Sequence, residues 1–179
     1  IKNGETFEHD SNISITNLHP FWVSRGSLKL LHAIKFFNME VDNLVCMDIG
    51  ASTGGFTQVL LENNAKKIYS IDVGYNQMHE KLRNNPKIVI LEKTNARNIE
   101  LNLISERIDL IVCDTSFISI KKVLRKSLSL LKNNEGKVIA LIKPQFEANK
   151  TEIKKGGVVK DSQVHKRICL EIEKWFIEE

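Results

Sequence analysis

Residues 44–57 read Leu-Val-Cys-Met-Asp-Ile-Gly-Ala-Ser-Thr-Gly-Gly-Phe-Thr, and the fold turns on how they are interpreted. Leu44 to Ile49 is a short apolar run that reads as a buried strand. Gly50, Gly54 and Gly55 break it, and the spacing of Phe56, Val59, Leu60 and Leu61 predicts a helix after the break. Strand, glycine turn and helix is the arrangement in which backbone N–H groups at a helix start face a ligand. Glycine lets the backbone approach that ligand and adopt positive φ.

Three ligands compete for such a turn. A P-loop needs G-x-x-x-x-G-K-[ST], and Gly50 to Thr57 fits except that Phe56 stands where the lysine should be. A dinucleotide turn wants G-x-G-x-x-G, but Ser52 occupies the second glycine position. The third reading uses Asp48, a carboxylate two residues before the first glycine. It would be misplaced beside phosphate and suits a cationic ligand carrying an amino acid, S-adenosylmethionine. Asp72 ends the next predicted strand, Lys67 to Asp72, twenty-two positions after Gly50. A carboxylate there can accept both hydroxyls of an adenosine ribose. The plain alternative is a glycine-rich strand–helix turn with a solvated Asp.

The 179 residues suffice for one domain with a sizeable core, and 42% hydrophobic with 27% charged residues argues against disorder. No apolar run reaches the roughly 18 residues of a membrane helix, and the start, Ile-Lys-Asn-Gly-Glu, has no signal-peptide stretch. Cys46, Cys113 and Cys169 are isolated, which suggests core thiols in a reducing cytoplasm, not a disulfide frame. The five histidines lack ligand spacing, so no metal is expected. Net charge is +4. Lys121, Lys122, Arg125 and Lys126 cluster after one strand, and Lys150, Lys154, Lys155, Lys160, Lys166 and Arg167 after another. Each cluster suits a polyanion or is simply a solvated surface.

Residues 1–18 carry a turn signal at Asn3-Gly4 and alternation at Ile13 and Ile15, a β piece too small for its own core. It is expected to be the remnant of a preceding domain, with residues 19–23 as linker and 24–179 as the main domain. The chain lacks an initiator Met and stops inside a predicted helix, 163–179, so a fragment is expected. Ser24 to Phe37 predicts a helix with Leu28, Leu31, Ile34 and Phe37 on its inner face and Ser24 or Ser27 as cap. Its cations Arg25 and Lys29 oppose the helix dipole. Further along, the pattern predicts helix 76–84, strand 87–92, strand 108–113, helix 121–132 and strand 137–142. Asn95, after the third strand, is placed to read an adenine edge.

Strands alternating with helices imply an α/β fold with a mostly parallel, doubly wound sheet. Right-handed crossovers put all strand carboxyl ends on one edge, where ligands bind. Asp48, Asp72, Asp114 and Lys143 all fall at that edge. This convergence is the strongest inference from pattern alone.

Several stretches then resemble one family in order: Trp22 to Leu30 (Trp-Val-Ser-Arg-Gly-Ser-Leu-Lys-Leu), Asp48 to Thr57, Asp72 to Gln77 (Asp-Val-Gly-Tyr-Asn-Gln), Thr94 to Arg97, Asp114 to Ser119, Lys143 to Glu147 (Lys-Pro-Gln-Phe-Glu) and Lys155 to Asp161. They are similar to the TlyA family of rRNA 2′-O-methyltransferases, often labelled hemolysin A, within the wider FtsJ/RrmJ-like group. The chain departs at Ser27, usually Gly, and at Thr115, usually Val. The resemblance implies a Rossmann-like methyltransferase fold whose last strands are missing here, a small RNA-binding domain before it, and ribosomal RNA or ribosomal subunits as partner. It also implies a Lys-Asp-Lys-Glu tetrad whose first three members fall on Lys29, Asp114 and Lys143. The Glu lies in a motif beyond this chain, and Glu147 belongs to a different motif.

The cofactor contacts are accordingly expected at Asp48, Gly50, Ala51, Ser52, Gly54, Gly55, Phe56, Asp72, Val73, Asn95, Ala96 and Asp114, and RNA contacts at Arg25 and Lys155. A ribose 2′-hydroxyl needs an acceptor for its proton, and a lysine beside another cation and a carboxylate can serve. Lys143 is the candidate base, Lys29 the neighbouring cation and Asp114 the orienting carboxylate. Phe117 and Phe146 either stack a flipped nucleotide or pack in the core, the second being the more ordinary role. The rival readings are a non-catalytic RNA-binding module, a membrane-active hemolysin and a small-molecule O-methyltransferase.

Overall fold

A computed structural model describes residues 6–11, 21–133 and 135–179. The expected Asn3-Gly4 turn, the alternation of Ile13 and Ile15 and the His19-Pro20 linker lie outside these residues.

Five strands form one parallel sheet: β1 (Val45–Ile49), β2 (Lys67–Ile71), β3 (Ile88–Leu91), β4 (Leu110–Cys113) and β5 (Lys137–Ala140), in the order β3-β2-β1-β4-β5. The expectation of a parallel, doubly wound sheet with β1 at its centre holds. β1 is buried along its whole length, as a central strand covered on both faces must be. Successive side chains alternate between the faces. Val45, Met47 and Ile49 join one core cluster with Ile111 and Cys113 of β4, beneath α4 (Ile120–Leu128) and α6 (Ser162–Glu178). Cys46, Leu110 and Val112 join the other, beneath α1 (Ser27–Phe36) and α2 (Gly55–Glu62).

Element boundaries shift from those the pattern predicts. Helix α1 starts at Ser27, and its inner face carries Ser27, Leu30 and Ile34, while Leu28, Leu31 and Phe37 are exposed. Gly26 takes the cap position and no side chain caps it. The reason is packing: Ser27 lies fully buried against α2 and its hydroxyl donates to the Gly55 carbonyl at 3.0 Å, which fixes the rotation of α1. The helix expected over 76–84 shrinks to α3 (Glu80–Arg83), and that over 121–132 to α4. A short α5 (Pro144–Glu147) follows β5. No helix among the described residues is long and apolar enough to cross a membrane.

Candidate active site

At the carboxyl edge of the sheet, Lys29 of α1, Asp114 after β4 and Lys143 after β5 come together. Lys29 Nζ donates to Asp114 Oδ2 at 2.9 Å. Lys143 Nζ lies 2.6 Å from Asp114 Oδ1 and donates to the Ser116 hydroxyl at 2.9 Å. The Lys143–Asp114 contact is a short ion pair. Burial pushes the Asp114 carboxyl up, but the two lysines outweigh it and hold it below the ordinary carboxylate range. Asp114 is therefore an anion shared by two ammonium groups.

Two cavities meet at this carboxylate. The outer one, of about 530 Å³, is lined by Arg25, Lys29, Phe56, Asp114 and Lys143 around residues 50–53. The inner one, of about 410 Å³, runs from Gly50 and Ser52 past Asp72, Val73 and Gln77 to Thr94, Asn95 and Ala96. They share Gly50, Ser52, Asp114 and Ser116. The mouth is cationic and the inner cavity mostly apolar with an acidic wall.

The turn that separates them is built for close packing. Gly50 has φ +84°, and a Cβ there would lie 3.0 Å from the Thr115 methyl and 3.1 Å from the Asp114 carbonyl oxygen. Its missing side chain thus lets the ends of β1 and β4 close up. Gly54 has φ +93°, and a Cβ would meet Leu82 and Met78 at 2.5 Å. Gly54 lines neither cavity, a departure from its expected cofactor role.

Asp72 ties two loops together. Its Oδ2 accepts the Ser52 N–H at 2.8 Å and its Oδ1 the Gly74 N–H at 2.7 Å. Each oxygen keeps a further lone pair, so the carboxylate can still accept hydroxyls from a ligand in the inner cavity. Asn95 uses its own Oδ1 to accept the Arg97 N–H, capping the 3-10 turn Ala96–Asn98, which leaves its amide group free to face a ligand. The expected contacts Gly50, Ala51, Ser52, Gly55 and Phe56 line the outer cavity, and Asp72, Val73, Asn95 and Ala96 the inner one. A nucleoside with an amino-acid tail fits this donor set, the acceptors lying at one end and the carboxylate Asp114 at the other.

Asp48 departs from expectation. The alternation along β1 that sends Met47 and Ile49 one way sends Asp48 towards α2, where it is fully buried and lines neither cavity. The Thr57 hydroxyl donates to Asp48 Oδ2 at 2.7 Å and lies 2.7 Å from the Ser70 hydroxyl, while Oδ1 has no partner. Burial, first of all, pushes the Asp48 carboxyl up to about 7; Thr57 opposes this, and Asp114 and Asp72 add to it. The folded state therefore holds a proton that the unfolded chain has released, so stability falls as pH rises from about 4 to 7. The full penalty is on the order of 4 kcal/mol. Asp48→Asn should flatten this decline, read as the denaturant midpoint against pH for both proteins. Parallel curves would show that Asp48 does not titrate in that window.

Sequence reasoning missed Glu92. Its carboxylate accepts the N–H groups of Asn76 at 2.8 Å and Gln77 at 3.2 Å, and takes an Arg83 ion pair at 2.7 Å. This holds residues 74–77 as a loop against the inner cavity and delays α3 to Glu80. A lone Glu just after β3 gave no signal for this role. Glu147 accepts the Ile120 N–H at 2.7 Å and so caps α4 from a distance. Phe117 departs from the core-packing role: it is 91% exposed at φ +66°, with its ring centroid 5.4 Å from that of Phe146. Arg25 stands at the mouth, whereas Lys155 lies exposed in the turn closed by the Lys154–Val158 bridge and lines neither cavity.

The profile of the FtsJ-like methyltransferase family matches residues 22–179. The chain is 44% identical over 158 residues to the 16S/23S rRNA (cytidine-2′-O)-methyltransferase TlyA of Mycobacterium tuberculosis, covering 88% of this chain and 59% of that protein. It is 43% identical to Hemolysin A of Brachyspira hyodysenteriae, covering 94% of this chain and 67% of that protein. A solved structure of a candidate hemolysin from Streptococcus thermophilus superposes with a TM-score of 0.83 at 38% identity, over 89% of this chain and 57% of the other. The chain thus spans about three-fifths of the Mycobacterium relative's length.

Proposed function

The chain belongs to the FtsJ-like methyltransferase family, and from this premise we propose that the protein it forms part of transfers a methyl group from S-adenosylmethionine to a ribose 2′-hydroxyl of ribosomal RNA. The observation that carries the reading is the meeting of Lys29, Asp114 and Lys143 where a cationic mouth joins a nucleoside-sized cavity. Relatives named as rRNA 2′-O-methyltransferases support the choice of substrate.

In this reading the inner cavity holds the adenosine, with Asp72 on the ribose hydroxyls and Asn95 on the base edge. The bound cofactor supplies a methyl group on a positively charged sulfur. Lys143 accepts the proton of the attacking 2′-hydroxyl as the new oxygen–carbon bond forms and the carbon–sulfur bond breaks, its electron pair staying on sulfur. Lys143 must enter this step as the neutral amine. Lys29 remains on Asp114 Oδ2 throughout, so the carboxylate keeps a counter-ion when Lys143 is neutral. Most of the acceleration comes from holding oxygen, carbon and sulfur in line. Arg25 at the mouth and the exposed Lys155 take RNA phosphates, and the exposed Phe117 ring, backed by Phe146, stacks a nucleotide turned out of its helix.

The test is transfer of tritiated methyl from S-adenosylmethionine onto ribosomal subunits, by the full-length protein and by this chain side by side. Label recovered as 2′-O-methylated ribose supports the reading. Label on a base, or none from the full-length protein, overturns it. Calorimetry on this chain separates cofactor binding from transfer: no heat with S-adenosylmethionine overturns the assignment of the inner cavity.

A further inference from the structure

Beyond the adenosine end of the inner cavity lies a second cleft, of about 760 Å³, between the 3-10 turn Ala96–Asn98 and α4. Arg97, Lys121, Lys122, Arg125 and Lys126 line it, with Asn98. Among the described residues only Arg125 of these cations has a carboxylate in contact, Glu179 at 2.6 Å. Five positive groups and no negative one line the wall. The cleft adjoins the inner cavity through its own elements, since Ala96 and Val123 line that cavity while Arg97 and Lys122 follow and precede them.

One feature of α4 resists the reading of a merely solvated face. Lys121 and Lys122 stand in its first turn, which has no acidic residue of its own, so they oppose the helix dipole. Glu147 caps the Ile120 N–H and offsets part of that, but it accepts a backbone donor and reaches none of the lysines as an ion pair. Cations placed against the local helix preference point to a ligand outside the chain.

We propose that this cleft is a phosphate-binding tract that grips the RNA backbone away from the target ribose. This rests on the RNA-modifying reading above. The cationic mouth at Arg25, Lys29 and Lys143 lies at one end of the inner cavity and the basic cleft at the other, so a single RNA passing over the cavity meets positive charge on both sides. The tract contacts phosphate and sugar and carries no sequence information; it sets the register in which the mouth receives its ribose.

The test is binding of a labelled helical fragment of ribosomal RNA to the full-length protein over a range of salt. Replacing Lys121, Lys122 and Lys126 together by Gln should raise Kd roughly tenfold or more at low salt and make the slope of log K against log salt shallower by about 3. The Kd for S-adenosylmethionine should not change. Arg97→Gln, on the opposite wall, should act in the same direction by about one contact. Wild-type binding with equal Kd and slope in both variants overturns the tract and leaves the methyl-transfer reading standing. No RNA binding by wild type overturns both. Loss of binding to phosphatidylserine vesicles with RNA binding unchanged would assign the cleft to a membrane surface instead.

Discussion

Lys143→Ala in the full-length protein is expected to lower methyl transfer by roughly a hundredfold to ten-thousandfold, the usual weight of a positioned general base, with the Kd for S-adenosylmethionine unchanged. The separation follows from placement. Lys143 follows β5, its amine lies 2.6 Å from Asp114 Oδ1, and it lines the mouth but not the inner cavity. Its removal takes away the proton acceptor and leaves the adenosine wall intact. Lys143→Arg decides between a base and a structural cation. Arg keeps the positive charge and can still pair with Asp114, but it does not deprotonate in a protein and so cannot accept the proton. A base therefore gives two inactive variants, whereas a structural ammonium is rescued by Arg. Near-wild-type rates in either variant, measured at saturating cofactor and RNA, would remove Lys143 from the chemistry.

How much of this was legible differs residue by residue. The sheet was readable because β1 is covered on both faces and must be an unbroken apolar run apart from Asp48. The meeting of Lys29, Asp114 and Lys143 was readable for two because parallel strands put their carboxyl ends on one edge, and for Lys29 only through the family resemblance. The rotation of α1 was not. Leu28, Leu30, Leu31, Ile34, Phe36 and Phe37 make that helix apolar nearly all round, so periodicity offers two faces, and the buried hydroxyl of Ser27 selects between them. Asp48 was misplaced because a motif position suggests what a residue does, whereas strand alternation dictates where it points. Glu92 and the left-handed Phe117 are set by contacts distant in sequence, or by loop geometry that composition does not encode.

Asp72→Ala is expected to weaken S-adenosylmethionine binding by about 1 to 3 kcal/mol, or roughly 5- to 150-fold in Kd. Two causes would produce that loss, and the geometry shows both. Asp72 already accepts the N–H groups of Ser52 and Gly74, so its removal loosens the glycine turn and the loop after β2. Its remaining lone pairs are the proposed partners of the ribose hydroxyls. The ligand can be altered to separate them. A 2′-deoxyadenosine form of S-adenosylhomocysteine lacks one of those hydroxyls, so wild type should bind it more weakly than the parent. If Asp72 holds that hydroxyl, the difference between the two ligands shrinks towards nothing in Asp72→Ala, because the partner has already gone. If Asp72 acts only by tying the loops, both ligands weaken by the same factor and the difference survives. The double cycle thus reports the contact itself, free of the loop effect common to both ligands. An undiminished difference between the ligands would return Asp72 to a purely structural role, and an unchanged Kd for the parent in a folded variant would take it out of the site altogether.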